Sequence, residues 1–213
     1  MAINFPVFIK PTDRGGGLGI DSKSVAQNYN ELNLKIRSIA MKYQSDSLIE
    51  EYLPGREFSV AILKNPNLSF EVMPVELIAQ PNINGMQLLG GKHKSANTEK
   101  VIEITDKILK AKVNNLAISA FSVLGARDYG RIDIRLDKNG TPQFLEANLI
   151  PSLICGYGSF PKACIINKNI SYESMILNIV KLAFARYSNI HENTSESSIN
   201  GVFPYYEPVL ESV

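Results

Sequence analysis

The chain has 213 residues; 45% are hydrophobic and 20% charged, and 22 basic against 21 acidic side chains leave a formal net charge of +1. This balance argues against a surface for nucleic acid or an anionic membrane. Two cysteines are too few for a disulfide framework, which favours a reducing, cytoplasmic compartment. The longest apolar stretch, 116–126, is too short to span a bilayer, and no signal peptide opens the chain. The composition therefore indicates a soluble protein of mixed α and β structure.

Residues 5–52 predict two strands with a helix between them. Residues 5–10 are a short apolar run of the kind found in strands, and the chain is then nearly pure glycine from 15 to 19. Residues 47–51 predict the second strand. Between the two strands, four apolar residues recur at helical spacing: Leu32, Ile36, Ile39 and Tyr43.

Two longer strands are predicted next. Residues 56–63 alternate, with Phe58, Val60 and Ile62 on one face and Glu57, Ser59 and Ala61 on the other. Residues 70–78 are expected to pair with them. The polar segment 80–98, rich in glycine and asparagine, is too long for a simple turn and is expected to be either functional or disordered.

The second half of the chain predicts two helices and a hairpin. An amphipathic helix that ends at Gly125 is indicated by Leu109, Val113, Leu116 and Ala120. Residues 129–136 and 142–149 predict strands joined across Asn139-Gly140, the strongest short hairpin signal in the sequence. Ser171 is expected to cap a last helix.

Lys10 and the glycines after it form the first candidate site. Glycine permits positive φ and lets backbone N–H groups approach an anion, so Gly15, Gly16 and Gly17 can cradle phosphates. Lys10, at the end of a strand, would add a positive charge. Because the spacing matches neither of the common glycine-rich phosphate motifs, a flexible surface hairpin remains the alternative.

The segment that joins the second strand to the third is the second candidate site. This segment, residues 52–55, is called the link. It passes through Pro54-Gly55 from one strand into another, which is typical of a connection with exposed backbone. Such a backbone can read the edge of an adenine, and Glu57, polar in an apolar strand, can accept hydrogen bonds from ribose hydroxyls. An ordinary hairpin with a solvated glutamate is the alternative.

The hairpin of residues 129–149 is the third and most informative candidate site. Side chains alternate along a strand, so one face of the first strand carries Arg131, Asp133 and Arg135. If Asn139-Gly140 is a two-residue turn, Asp133 lies opposite Glu146 and Arg131 lies opposite Asn148. A four-residue loop would make these pairs diagonal neighbours on the same face, about 5 to 8 Å apart.

Two carboxylates and a carboxamide that converge in this way suit Mg²⁺, which favours one or two carboxylates together with substrate phosphates. The sequence therefore predicts a metal site formed by Asp133, Glu146 and Asn148. The alternative is a solvated hairpin face with an incidental cluster of one arginine and two acids.

The order of the three sites resembles the ATP-grasp superfamily and, within it, the D-alanine–D-alanine ligase group. The likeness rests on Lys10 before the glycine hairpin, on Glu-Glu-Tyr-Leu-Pro-Gly-Arg-Glu-Phe from Glu50, and on Gly-Arg-Ile-Asp and Leu-Glu-Ala-Asn in the hairpin of residues 129–149. It implies an α+β fold in which two lobes with antiparallel sheets hold ATP between them. The lobes would be residues 1–52 and 53–188, followed by a flexible polar tail of residues 189–213.

The resemblance also implies which residues bind ATP and metal. Lys10 would contact the phosphates, and the glycine loop would close over them. Adenine would be held by Glu50 and the Tyr52–Leu53 backbone, with Glu51 beside them, and the ribose by Glu57. Two Mg²⁺ ions, for which Mn²⁺ is a substitute, would be held by Asp133, Asn148 and a bridging Glu146.

The catalytic candidates that the resemblance implies are Arg131, Lys92 and Ser152. Arg131 would stabilise negative charge on the transferring phosphate. Either Lys92 or Lys94, on the long loop, would reach the γ-phosphate. Ser152 stands where the family has a glycine whose backbone meets the acceptor amino acid, which puts D-alanine as the substrate in question.

The implied reaction is phosphorylation of a carboxylate to an acyl phosphate, followed by attack of an amine, as in cell-wall precursor synthesis. The expected substrates are an amino-acid-like or peptide-like acid and amine. The family's N-terminal domain and an early strand are expected to be missing, which would leave an unpaired strand edge near Phe5. A homodimer, or a complementing N-terminal domain or chain, is therefore an expected partner.

Two other functions remain open at this point. One is a nucleotide-binding module without ligase activity. The other is a kinase-like ATP-grasp protein that phosphorylates a small molecule and stops.

Overall fold

The computed structural model of this protein describes residues 3–65, 67, 69–79 and 99–194, with the backbone alone for 188–194. The strands are β1 (Val7–Pro11), β2 (Val25–Ala26), β3 (Ser47–Glu51), β4 (Glu57–Lys64), β5 (Phe70–Ile78), β6 (Lys100–Glu103), β7 (Tyr129–Leu136) and β8 (Pro142–Asn148). The helices are α1 (Tyr29–Tyr43), α2 (Lys107–Val123), α3 (Ser159–Lys168) and α4 (Tyr172–Thr194). No helix in these described ranges is long and apolar enough to cross a membrane.

The first sheet is small and antiparallel, with the strand order β2-β1-β3. Helix α1 packs on it through the apolar residues that recur at helical spacing, and Leu32 and Ile39 join Val7 and Ile9 in a small core. Asn28 caps the helix by accepting a hydrogen bond from the Glu31 N–H at 3.0 Å. The predicted strand, glycine loop, helix and strand are thus confirmed in this order.

The second sheet is larger, with the antiparallel order β6-β5-β4-β7-β8. Helix α2 covers one face, where its apolar side meets the inward residues of β4 and β7 in a core of Phe58, Val60, Ile62, Val113, Phe121, Ile132 and Ile134. Helices α3 and α4 cover part of the opposite face. The rest of that face carries Glu57, Ser59 and Asp133, and it forms the wall of the candidate site.

Some predictions about the elements need correction. The sequence gives no periodic signal for β2, β6 or α3, because the first two are only two and four residues long and α3 contains a proline in its first turn. The expected unpaired edge near Phe5 is wrong: β1 is the central strand of its sheet, and β2 and β3 are the edges. Helix α4 continues past residue 188, where the second lobe was predicted to end, as far as Thr194. The lobe boundaries remain a prediction, and residues 195–213 lie outside the described part of the chain.

Candidate functional site

A bulge in the β7–β8 hairpin brings the predicted site residues onto one face. Asp133 pairs with Glu146 and Arg131 pairs with Asn148, which confirms the predicted pairing. The loop, however, is neither of the two lengths considered: Asp137 and Thr141 close it, and Gly140 adopts a φ of +78°. A register shift between Asp133 and Ile134 compensates for this three-residue loop.

The shift is needed because a one-residue slip moves a strand's side chains to the other face of a sheet. Ile134 pairs with Phe144, so an unbroken ladder would place Leu145 opposite Asp133 and turn Glu146 away from it. The extra residue, Leu145, restores the alignment. Bulges of this kind are common beside active sites, where they redirect a side chain.

Asp133 is the most heavily hydrogen-bonded member of the cluster. Arg131 donates to both of its oxygens, from Nε at 2.9 Å and from Nη2 at 2.8 Å. Ser59 donates to Oδ1 at 2.9 Å, and the Asn148 amide donates to Oδ2 at 3.2 Å and to Glu146 Oε1 at 3.1 Å. Asp133 is buried whereas Glu146 is exposed, so the cluster is closed at Asp133 and open at Glu146.

The charge of Arg131 is firmly fixed by this cluster. Burial opposes the charged guanidinium, but the Asp133 carboxylate and its hydrogen bonds, together with Glu146 and Glu99, raise the pKa of Arg131 above its ordinary value. Arg131 is therefore a permanent cation at this site, able to face either a carboxylate or a bound anion.

An open cavity of about 380 Å³ lies between the two sheets. The small sheet and the link contribute Lys10, Glu50, Glu51, Tyr52 and Leu53 to its walls. The large sheet contributes Glu57, Asp133, Arg135 and Glu146. Residues predicted from three separate parts of the sequence thus border one space. The cavity is of the size that holds a small-molecule ligand.

Hydrogen bonds and ion pairs connect the link and the residues beside it to both sheets. Lys10 Nζ lies 2.8 Å from Glu50 Oε2, which joins the first and second candidate sites. The Leu53 carbonyl accepts a hydrogen bond from Arg135 Nε at 2.7 Å, and Glu57 Oε2 accepts one from Arg135 Nη1 at 2.7 Å. The link is therefore held against β7 by a buried arginine.

The glycine loop follows β1 as a pair of tight turns. Gly16, Gly17 and Gly19 adopt positive φ of 65°, 77° and 84°, a conformation that favours glycine. Gly15, Gly16 and Gly17 do not line the cavity, whereas Ile20, just after the loop, does. The end of the loop is anchored by the buried Lys35, which donates to the Gly19 carbonyl at 2.8 Å and to Asp21 Oδ1 at 2.9 Å.

The remaining catalytic candidates have different outcomes. The Ser152 hydroxyl accepts a long hydrogen bond, 3.5 Å, from the Ile154 N–H within its own loop, and it does not line the cavity. Lys92 and Lys94 lie outside the described residues. Their assignments remain predictions.

Asp133, Glu146 and Asn148 fit a magnesium ion by the chemistry of their donors. The described residues contain no cluster of three or more His, Cys, Asp or Glu that could hold a metal, but Mg²⁺ needs only one or two carboxylates when phosphates complete its shell. Asp133 Oδ1 accepts from Arg131 and Ser59, and Oδ2 accepts from Arg131 and Asn148, so a cation could reach Asp133 only after one of these donors moves. Asn148, which directs its NH₂ at the acids, would have to turn its amide to present the oxygen.

Two buried polar residues that support the site, Ser59 and Lys35, were not predicted to belong to it from the sequence. Ser59 Oγ lies 2.9 Å from Asp133 and 3.2 Å from Ser159 Oγ, and all three residues are buried. The alternation of β4 places Ser59 on the face of Glu57, a signal that was available. The contact with Ser159 depends on α3, which no local pattern predicts.

Comparison with known proteins identifies the class and then the family. The chain superposes with a TM-score of 0.64 on a D-alanine–D-alanine ligase from Bacillus anthracis, crystallised with ATP; the match is 19% identical and covers 87% of this chain and 56% of that one. This likeness defines the fold as ATP-grasp. A family profile described as D-ala D-ala ligase C-terminus matches residues 1–181. The chain belongs to this family.

Its relatives are considerably longer. A D-alanine–D-alanine ligase from Glaesserella parasuis is 29% identical over 182 residues, which are 85% of this chain and 55% of the relative. An uncharacterized protein from Sinorhizobium fredii is 29% identical over 188 residues, 87% of this chain and 54% of the relative. The chain thus spans about half the length of the curated relatives it matches.

Proposed function

We propose that this chain forms the ATP- and magnesium-binding part of a carboxylate–amine ligase of the D-alanine–D-alanine ligase type. The observation that carries the proposal is the bulged hairpin, which sets Asp133 opposite Glu146 at the edge of a cavity also bordered by Lys10 and the link. Family membership supports the same reaction class.

In this proposal the protein positions reactants and neutralises charge, and no side chain forms a covalent intermediate. The link would bind adenine, Glu57 the ribose, and Lys10 the phosphates. Asp133, Glu146 and Asn148 would hold one or two Mg²⁺ ions, or Mn²⁺ in their place. The metal would neutralise phosphate charge, and Arg131, released from Asp133, would face the transferring phosphate.

The two sheets would act as two lobes, residues 1–52 and 53–188, with residues 189–213 as a tail. The acid would be phosphorylated and then attacked by the amine, giving an amide, ADP and phosphate. Both free cysteines agree with a reducing, cytoplasmic location; burial raises the pKa of the Cys164 thiol to about 12, as expected of an inert core residue. A second copy or an N-terminal chain would complete the substrate pocket.

The test begins with Mg²⁺-dependent ATP binding by calorimetry, followed by ADP release with a panel of amino acids and short peptides. Glu146→Ala and Arg131→Ala are expected to lower turnover about 10²- to 10³-fold, because each removes a group that stabilises charge in the transition state. Their circular dichroism should match the parent. Glu103→Ala is the matched control, since Glu103 pairs with Lys110 on the surface and should leave turnover unchanged.

Other outcomes would contradict the proposal or indicate a different function. Near-parental ATP consumption by Glu146→Ala or Arg131→Ala would refute the proposed action of that residue. ATP binding without amine-dependent ADP release, even after an N-terminal ligase domain is supplied, would indicate a nucleotide-binding module. A phosphorylated product without an amide would indicate a kinase.

A further inference from the structure

Arg135 is a buried cation in the cavity wall to which the proposed reaction assigns no task. It follows Asp133 by two residues on β7, so its side chain leaves the sheet on the same face. Only 8% of the residue is exposed, although it borders the cavity. A buried arginine costs free energy unless several polar groups compensate it, so its partners indicate why it is there.

These partners are the residues that the proposal uses to bind the base and ribose. Arg135 Nε donates to the Leu53 carbonyl and Nη1 donates to Glu57 Oε2, both at 2.7 Å. The guanidinium carbon also lies 6.0 Å from the centre of the Tyr52 ring, within the range of a cation–π contact. One side chain therefore contacts an aromatic ring, a backbone carbonyl and a carboxylate of the same pocket.

The geometry of this contact restrains Glu57. A guanidinium is planar and presents its donors in a fixed fork, so it sets the direction of a carboxylate more strictly than a lysine ammonium does. The Glu57 side chain is only 14% exposed and that of Arg135 only 9%. Without Arg135, the mostly buried Glu57 carboxylate would lose the ion pair that sets its direction, and it would be able to turn away from the cavity.

We propose that Arg135 is a positioning residue that determines sugar specificity: it holds Glu57 as an oriented, ionised acceptor for ribose hydroxyls. This rests on the proposed function, since it takes the cavity to be the ATP site. A pocket built to accept hydrogen bonds from hydroxyls rejects an analogue that lacks them, because the acceptor is then left without its donor. The chain should therefore prefer ATP to 2′,3′-dideoxy-ATP, and this preference should depend on Arg135.

The experiment measures the affinity of the full chain for ATP and for 2′,3′-dideoxy-ATP by calorimetry, with Mg²⁺ present. We expect the parent to prefer ATP by about tenfold or more. Arg135→Met should bind ATP more weakly but leave dideoxy-ATP nearly unchanged, so that the ratio falls to about twofold. Arg135→Lys, which keeps the charge but loses the fork, should restore only part of the preference.

Arg56→Met is the matched control. Arg56, the residue before β4, also makes a two-pronged ion pair, from Nε and Nη2 to Glu76 of β5 at 2.7 and 2.5 Å, and its guanidinium carbon lies 5.4 Å from the centre of the Phe58 ring. It does not line the cavity. Arg56→Met should lower the free energy of unfolding without changing the ratio of the two affinities. If Arg135 had only a structural role, Arg135→Met would give this same result.

The outcomes separate this proposal from the function on which it rests. A parent that binds no ATP would overturn the proposed function. A parent that binds ATP and dideoxy-ATP equally, or an Arg135→Met variant that keeps the parental ratio, would overturn the assignment of Arg135 alone. If Arg135→Met fails to fold, Arg135→Lys carries the test: an intermediate ratio would support the assignment, and a parental ratio would overturn it.

Discussion

The hydrogen-bond chain behind Asp133 has only one possible direction. An ionised carboxylate accepts hydrogen bonds and cannot donate them, so Ser59 must donate to Asp133 Oδ1. A hydroxyl has a single proton, so Ser59 can only accept from Ser159, whose oxygen lies 3.2 Å away. The hydrogen bonds therefore run from Ser159, at the start of α3, to Ser59 and from Ser59 to Asp133. They hold the Asp133 carboxylate in place at Oδ1.

Ser59→Ala should weaken the magnesium-dependent part of nucleotide binding. The change removes the donor behind a predicted metal ligand, and such supporting contacts are worth about tenfold or more in metal affinity. The cost in stability should be about 1 kcal/mol. The measurement is ATP affinity with and without Mg²⁺.

Ser171→Ala is the control for this change. The Ser171 hydroxyl accepts from the Ser174 N–H at the start of α4, so its loss should cost a similar free energy of unfolding, about 1 kcal/mol, without altering the effect of Mg²⁺. Parental Mg²⁺ dependence in Ser59→Ala would show that the hydrogen bond to Asp133 has no part in metal binding.

For individual residues, the sequence predicted which side chains share a face of the hairpin, but not which residues hydrogen-bond to them from other strands. Alternation along β7 and β8 was sufficient to group Arg131, Asp133, Glu146 and Asn148. Ser59 faces Asp133 only because β4 pairs with β7 in a particular register, and the two strands are far apart in the chain. Local periodicity carries no information about such long-range pairing.

Among the elements, the β7–β8 hairpin was predicted correctly for a partly wrong reason. Asn139-Gly140 does mark the turn, and Gly140 supplies the positive φ that it needs. The dipeptide does not set the loop length, which is three residues. The pairing of Asp133 with Glu146 survives because the Leu145 bulge cancels the difference, and nothing in the local sequence indicates a bulge at that residue.

The glycine loop depends on helix α1 through Lys35 and Asp21, and this contact should weaken in acid. Although burial opposes ionisation of Asp21, the hydrogen bonds from Lys35 and from the Lys23 N–H lower its pKa below the ordinary value of 3.8. A carboxyl with a lowered pKa contributes stability above its unfolded-state pKa and loses this contribution as the pH falls through the folded-state pKa. The coupling should therefore be complete near neutral pH and absent well below 3.8.

A double-mutant cycle of Lys35→Met and Asp21→Asn measures this coupling through urea unfolding at neutral and at acidic pH. Because the Asp21 side chain is 55% exposed, the coupling energy near neutral pH should be modest, about 0.5 to 1 kcal/mol. The cycle of Lys35→Met with Asp106→Asn, which affects the cap of α2, should show no coupling. A Lys35–Asp21 coupling that stays constant into acid would contradict the assignment of the lowered pKa to this pair.

For the whole molecule, the order of the longer elements could be predicted from sequence, but β2, β6, α3 and the arrangement of the sheets could not. Strands β3, β5 and β7 begin and end where predicted, because turn residues such as Pro54-Gly55 and Asn139-Gly140 follow or flank them. The five-stranded order and the cover of α3 and α4 arise from contacts between distant segments. The family resemblance supplied the two-lobed architecture that periodicity alone left open.

The link between the two sheets is the place where a small change should affect the whole site. A Cβ added to Gly55 would lie 2.6 Å from both Cβ and the carbonyl oxygen of Leu136, and the Gly55 N–H donates to that carbonyl at 3.0 Å. Only glycine allows the link to approach β7 so closely. Leu53 and Glu57 flank this contact, so displacing it would move both away from Arg135.

Gly55→Ala is therefore expected to lower stability by about 1 to 3 kcal/mol through overpacking and to weaken ATP binding by about tenfold or more, because the groups of the link no longer converge. Gly140→Ala is the matched control: its φ of +78° makes alanine costly by about 1 to 2 kcal/mol, but nothing lies within 4 Å of the added carbon. It should lose stability without losing ATP affinity. Thermal unfolding and calorimetry separate the two effects, and parental affinity in a folded Gly55→Ala variant would show that the approach of the link to β7 does not shape the nucleotide site.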